Sequence, residues 1–225
     1  MAKGKTLWEL LLEKLHGPVE FDYYNPLKAK IGSFVTIDEL DLHDLDFRVE
    51  EIREYRRTIG GKEFLFADYV LLARPMGKDE VLARLRLNPV EDPDRAAGQT
   101  HHALLLRLDD EMAYSKEFQQ VLTDDTGKFQ VLDNGQVTAE YWRINEVHKP
   151  YKARVAIIKD ADHNKKVEKS EVEKTELEYW DYARQIQTPG GQPAVEYLLI
   201  EMDKETGWFQ IWRGQEIDMQ RAFVV

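Results

Sequence analysis

Short runs in which apolar and polar side chains alternate, broken by glycine, asparagine, aspartate and proline, cover most of this chain. A period of two is the mark of a half-buried β-strand. It predicts strands at 34–37, 47–59, 63–72, 81–87, 137–147, 155–158, 195–202 and 208–212. Gly60-Gly61, Asn134-Gly135, Gly190-Gly191 and the turn run ending at Gly207 punctuate them as hairpin turns do. A helical period appears in two places. Near the N-terminus, Leu7, Trp8, Leu11, Leu12 and Leu15 form one apolar stripe, with Thr6 and Glu9 at capping-box spacing and Gly17-Pro18 as a stop. The second predicted helix spans 111–122, with Tyr114, Phe118, Val121 and Leu122 on one side.

The chain also matches itself. Residues 32–38 (GSFVTID) align with 127–133 (GKFQVLD), and 47–52 with 142–147, both at an offset of 95. Residues 54–59 (EYRRTI) align with 181–186 (DYARQI) at an offset of 127, and each leads through a double glycine into a second apolar block, 68–72 or 196–200. The offset grows once, by 127 − 95 = 32 residues, which one insertion explains. The fold expected is therefore mainly β, with two related antiparallel sheet or partial-barrel units in tandem. Residues 1–26 would be the N-terminal amphipathic helix and lead-in, 27–108 the first unit, 109–123 a helical linker, and 124–225 the second unit with an insertion at 148–179. Charges alternate along Lys165–Lys174 within that insertion, which reads as a solvated, projecting hairpin in preference to a helix.

Tyr24-Asn25-Pro26-Leu27, Ile31-Gly32-x-x-Val35, Glu54-Tyr55, Asp68-Tyr69-x-Leu71-Leu72, the later 178–182 run EYWDY and the Gly207-x-Phe209 turn together resemble an uncharacterised bacterial family of β-rich domains of unknown function. The resemblance covers most of both units. Its members tend to be encoded near envelope-stress and polyamine-synthase-like proteins, which implies an accessory role. It brings no catalytic residues to carry over.

Composition narrows the chemistry. With 43% hydrophobic and 11% aromatic residues the chain can bury a core, and without cysteine it has no disulfide, thiolate metal site or cysteine nucleophile. Lys+Arg number 31 against 42 Asp+Glu, a net charge of −11 that argues against nucleic acid as a partner. No apolar run approaches the length of a spanning helix and no leader-peptide pattern is present, so the expected location is cytoplasmic. His101-His102 would point to opposite faces of a strand, and no HExxH, GxSxG or phosphate-loop pattern occurs, so no metal, cofactor or catalytic residue is expected. Asp38, Glu39, Asp41, Asp44 and Asp46 interleave with leucines and read as an acidic edge loop.

Two features remain for function. The stripe of Leu7, Trp8, Leu11 and Leu15 suits a partner surface, docking on its own domain, or membrane contact, for which Lys3, Lys5 and Lys14 are a weak electrostatic hook. The repeated Tyr-x-Arg pairs, Tyr55/Arg57 and Tyr182/Arg184, place each tyrosine beside its arginine on one strand face. Facing a groove, they would hold an anionic ligand or acidic peptide; alternatively each arginine pairs with a carboxylate such as Asp68 or Glu196 across its hairpin. The role expected is a non-catalytic interaction or scaffold protein whose partner is another protein or a second copy of itself. The alternative is a binder of a small anionic or polyamine ligand in a cavity or in the groove between the units.

Overall fold

The structure, a computed structural model, describes residues 27–38, 42, 45–59, 62–77, 79–87, 102–144, 150–160, 170–218 and 222–224. The stripe of Leu7, Trp8, Leu11 and Leu15 lies outside the described residues, as do the Gly60-Gly61 turn, His101 and most of the acidic edge loop.

The alternating runs fold as β1 (Phe34–Ile37), β2 (Asp46–Ile59), β3 (Lys62–Ala73), β4 (Val81–Leu87), β5 (His102–Ala113), β6 (Lys128–Asp133), β7 (Gln136–Arg143), β8 (Tyr151–Asp160), β9 (Ser170–Gln187), β10 (Pro193–Asp203), β11 (Trp208–Asp218) and β12 (Ala222–Val224). One described helix, α1 (Lys116–Leu122), sits between β5 and β6. The 111–122 helix of the sequence reading is thus shorter than expected, because Glu111 and Met112 pair with Gln210 and Phe209 and β5 runs on to Ala113. Ser115 starts the helix by accepting the Phe118 amide on its Oγ at 3.2 Å.

Eight strands close an antiparallel barrel in the order β2-β3-β4-β5-β11-β10-β9-β8, with β8 pairing back onto β2. Strands from both expected units share this barrel, joined at β5–β11 and at β2–β8. Neither 27–108 nor 124–225 closes by itself. Of the expected projecting insertion, residues 148–149 and 161–169 lie outside the described residues, and β8 with the first half of β9 forms barrel wall: Tyr55 faces Val155, which faces Thr175. Charged side chains such as Arg154 and Lys174 hold its outer face while Val155 and Leu177 are buried inside.

Extra strands thicken the wall on two sides. β1 extends the edge of β2 and carries β12, and Ala29, Ile31, Val35, Ile37 and Leu42 pack on the outer faces of β2 to β5. The β6–β7 hairpin joins the edge of β9 at Trp142 and Arg143, and with α1 it buries Trp180, Tyr182, Leu198, Ile200 and Phe209. Asn134 and Gly135, at φ 50° and 78°, make the hairpin turn between β6 and β7. Each leucine-sized side chain fully removed from water in these layers contributes about 1.5–3 kcal/mol.

This layering inverts an ordinary reading of β4. Every residue from Ala83 to Leu87 is buried, because Ala83, Leu85 and Leu87 face the outer apolar layer while Arg84 and Arg86 point into the barrel.

Candidate functional site

Eight strands enclose an interior wide enough for side chains or for one small ligand. Here the middle is filled by a charged plug. Arg86 grips Asp68 with two bonds, Nε to Oδ1 at 2.8 Å and Nη2 to Oδ2 at 2.9 Å, and also reaches Glu201 at 3.0 Å. Arg84 donates to Glu201 Oε2 at 2.6 Å, lies 3.4 Å from Asp68 and stacks over the Trp212 ring at 4.0 Å. The Tyr55 hydroxyl donates to Glu201 Oε1 at 3.1 Å, and its ring stacks on Phe66 at 4.5 Å. Arg53, tied to Glu51 at 2.7 Å, closes the network 4.0 Å from Glu201.

Two buried guanidiniums therefore face two buried carboxylates with most of their hydrogen bonds made, the condition under which buried charge is tolerated. Burial by itself would raise the Glu201 carboxyl; Arg84, Arg86 and Arg53 outweigh it and hold the group at about 2. Arg86 moves the other way from what burial favours, well above its ordinary value, through Asp68 and Glu201. Burial pushes the Tyr55 hydroxyl up, so it stays a neutral donor.

On either side of the plug the barrel opens into a cavity. The mouth at the start of β3 and β10, here mouth A, holds about 270 Å3 lined by Arg57, Phe64, Phe66, Arg86, Leu104, Tyr179, Asp181, Tyr197 and Leu199, with Ile144 at the rim. Arg57 leans on the Tyr151 ring at 4.6 Å and the Phe64 ring at 5.6 Å and donates Nη1 to the Tyr179 hydroxyl at 3.0 Å. Its Nε is buried with no hydrogen-bond partner among the described residues. Asp181 shares this mouth, and burial raises its carboxyl to about 6 against the pull of Arg86 and Arg57. The Tyr197 hydroxyl, pushed up to about 12 by burial and by its bond to Glu216 at 2.9 Å, completes an aromatic collar. The far mouth, mouth B, holds about 450 Å3 around Arg53, Glu111, Thr175, Glu201, Asp203 and Trp208. A third, larger cleft of about 640 Å3 lies against β2, β8 and β9. Its arginines and carboxylates neutralise one another, as Arg56 does Glu54 at 2.6 Å, so mouth A is the better site.

The two Tyr-x-Arg pairs part company here. Tyr55 and Arg57 both face the interior, Tyr55 in the plug and Arg57 at mouth A. Tyr182 and Arg184 face outward on β9. Tyr182 is buried beneath α1, where its hydroxyl donates to the Leu122 carbonyl at 3.2 Å, and Arg184 pairs with Glu196 at 2.6 Å over the Tyr141 ring. The matched blocks thus lie on opposite sides of the wall, and no common groove joins them. A one-residue difference of register is all this takes, since successive strand residues alternate faces. Sequence reasoning missed Arg84, Arg86, Glu201 and Asp181. Arg-x-Arg inside an otherwise apolar strand was the available signal.

No metal-ligating group of three or more His, Asp or Glu side chains gathers among the described residues, and no described helix is long and apolar enough to cross a membrane. Comparison of the chain with family models, with curated proteins and with solved structures finds no match.

Proposed function

We propose that the protein binds a small amphipathic anion, a compact aromatic or aliphatic carboxylate or sulfonate, in mouth A. Arg57 is the observation that carries this reading. Its guanidinium is planar, braced on two rings, bonded on one side to a neutral hydroxyl, and left with a buried N–H lacking a partner among the described residues. A bound carboxylate oxygen satisfies such a fork, and a charge-assisted bond of that kind contributes about 1.5–3 kcal/mol. Phe64, Phe66, Leu104 and Leu199 supply apolar walls for the rest of the ligand, in keeping with sites that combine apolar lining and a few fixed polar groups. The plug behind them is already neutralised internally, so the ligand's charge belongs to Arg57.

Thermal-shift titration of the full chain with benzoate, benzenesulfonate and neutral benzyl alcohol tests this. The anions raise the melting temperature and the alcohol does not, and Arg57→Met weakens the anions by roughly tenfold or more. Equal shifts for anion and alcohol, or an undiminished response in Arg57→Met, would refute the proposal.

We infer a duplicated half-barrel, since the meanders β2–β5 and β8–β11 join first strand to first strand and last to last. That symmetry supports duplication with boundaries other than those of the matched sequence blocks.

A further inference from the structure

Mouth B differs from mouth A in charge and in what it leaves unsatisfied. Of its ionised groups, Arg53 is committed to Glu51 at 2.7 Å, and Glu201 to Arg84 and Arg86 at 2.6 and 3.0 Å. The Glu111 and Asp203 carboxylates remain at the opening. Glu111 accepts from the neutral Gln210 amide at 2.7 Å, and Asp203 from the Glu205 backbone amide at 2.8 Å, so neither of these bonds cancels a negative charge. Trp208 stands across from Asp203 in the β10–β11 ladder with half of its surface exposed. Deeper in, Thr175 is 6% exposed, and its Oγ1 is buried with no hydrogen-bond partner among the described residues. A buried hydroxyl left this way keeps an uncompensated desolvation cost unless something outside the protein bonds to it.

We propose that mouth B is a second binding site, one that takes a small organic ammonium. An alkylammonium head placed between Glu111 and Asp203 gains two favourable charges, and the Trp208 ring face attracts the same cation. An N–H of the ligand, or a hydroxyl on its chain, meets Thr175 Oγ1 beside the apolar surfaces of Ile157 and Leu177. An inorganic cation suits the mouth less well, because no group of three ligating side chains converges among the described residues. The proposal stands apart from the anion reading of mouth A, because the charged plug lies between the two cavities.

Calorimetric titration of the full chain with n-butylammonium, tetramethylammonium and neutral n-butanol tests it, with benzoate run on the same samples to score mouth A separately. Both ammonium ions bind and the alcohol does not. Glu111→Gln and Asp203→Asn each weaken both ammonium ions by roughly tenfold, and Trp208→Leu does the same through the lost ring face. Thr175→Val weakens n-butylammonium, which carries N–H donors, and leaves tetramethylammonium unchanged; this separates a bonding role for Thr175 from general damage to the barrel. Circular dichroism of each variant confirms its fold before titration. Absence of ammonium binding in the folded wild-type protein, equal binding of n-butanol, or affinities untouched in all of the carboxylate and tryptophan variants would overturn the proposal, whether or not benzoate binds.

Discussion

Glu201 touches Arg84, Arg86 and Tyr55 within 3.1 Å and is 3% exposed, so its charge is compensated at every turn. Glu201→Gln removes that compensation and leaves Arg84 and Arg86 sharing Asp68 alone. The expected loss is about 3–5 kcal/mol, the cost of breaking a buried ion pair from one side, measured by urea unfolding. Asp181 carries the opposite sign. Its carboxyl rises from an ordinary 3.8 to about 6 on folding, so it favours the folded state at low pH and that contribution is lost as pH climbs through 6. Glu201, held near 2 in place of 4.5, stabilises above about pH 4.5 and loses its effect as pH falls below that. Together the two groups should favour the folded state most near about pH 4, and the Asp181 contribution then declines toward neutral pH. Asp181→Asn flattens the decline and stabilises at neutral pH by about 1–2 kcal/mol, the full shift being discounted for partial exposure. If melting temperature between about pH 5 and 7.5 follows the same curve in both proteins, Asp181 does not carry the effect.

Among the elements, the β5–β11 seam is where closure is most demanding. A Cβ built on Gly214 would stand 1.8 Å from the Leu105 carbonyl oxygen and 2.8 Å from Leu106 Cα, backbone atoms that cannot swing away. Gly214→Ala is expected to part the two strands and to destabilise the barrel by several kcal/mol, at the high end of single substitutions. The comparison variant Gly190→Ala, in an open turn where a Cβ would meet only the Thr188 side chain at 3.8 Å among the described residues, should be close to neutral. Urea midpoints that are equal for the two variants would contradict this account of the seam. The strands themselves were readable: 34–37 and 81–87 coincide with β1 and β4, and Asn134-Gly135 announced its turn. What escaped was facing. In β4 the sequence ARLRL looks like a strand with wet arginines, yet the outer surface is covered by residues 27–37 and 42, and the arginines turn inward. A strand covered on both sides has no solvent face for alternation to mark. The β5 extension was hidden for a related reason, since 109–113 is acidic and gains strand character only through its β11 partner.

At the scale of the molecule, closure joins residues that no local pattern links. Glu201 meets Arg84 across 117 positions and Arg57 meets Tyr179 across 122. Of the residues singled out in the sequence, Arg57 stays at a cavity, Tyr55 becomes part of the plug, and Tyr182 and Arg184 serve the outer layer. The net charge of −11 does not carry through to the barrel interior, where Arg84 and Arg86 hold the plug, Arg53 lies at mouth B and Arg57 at mouth A. Anion binding at mouth A should in turn feel Asp181, which faces Arg57, Arg86, Tyr179, Asp68 and Glu201; protonating it removes a negative charge beside the ligand. Calorimetric titration of the full chain with benzoate at about pH 5 and about pH 7.5 is the most direct test, because it reads the site and its electrostatics together. Benzoate should bind at both, several-fold more tightly at the lower pH, and Asp181→Asn should bring the two affinities together. No heat of binding at either pH, or affinity that benzyl alcohol matches, would contradict the account.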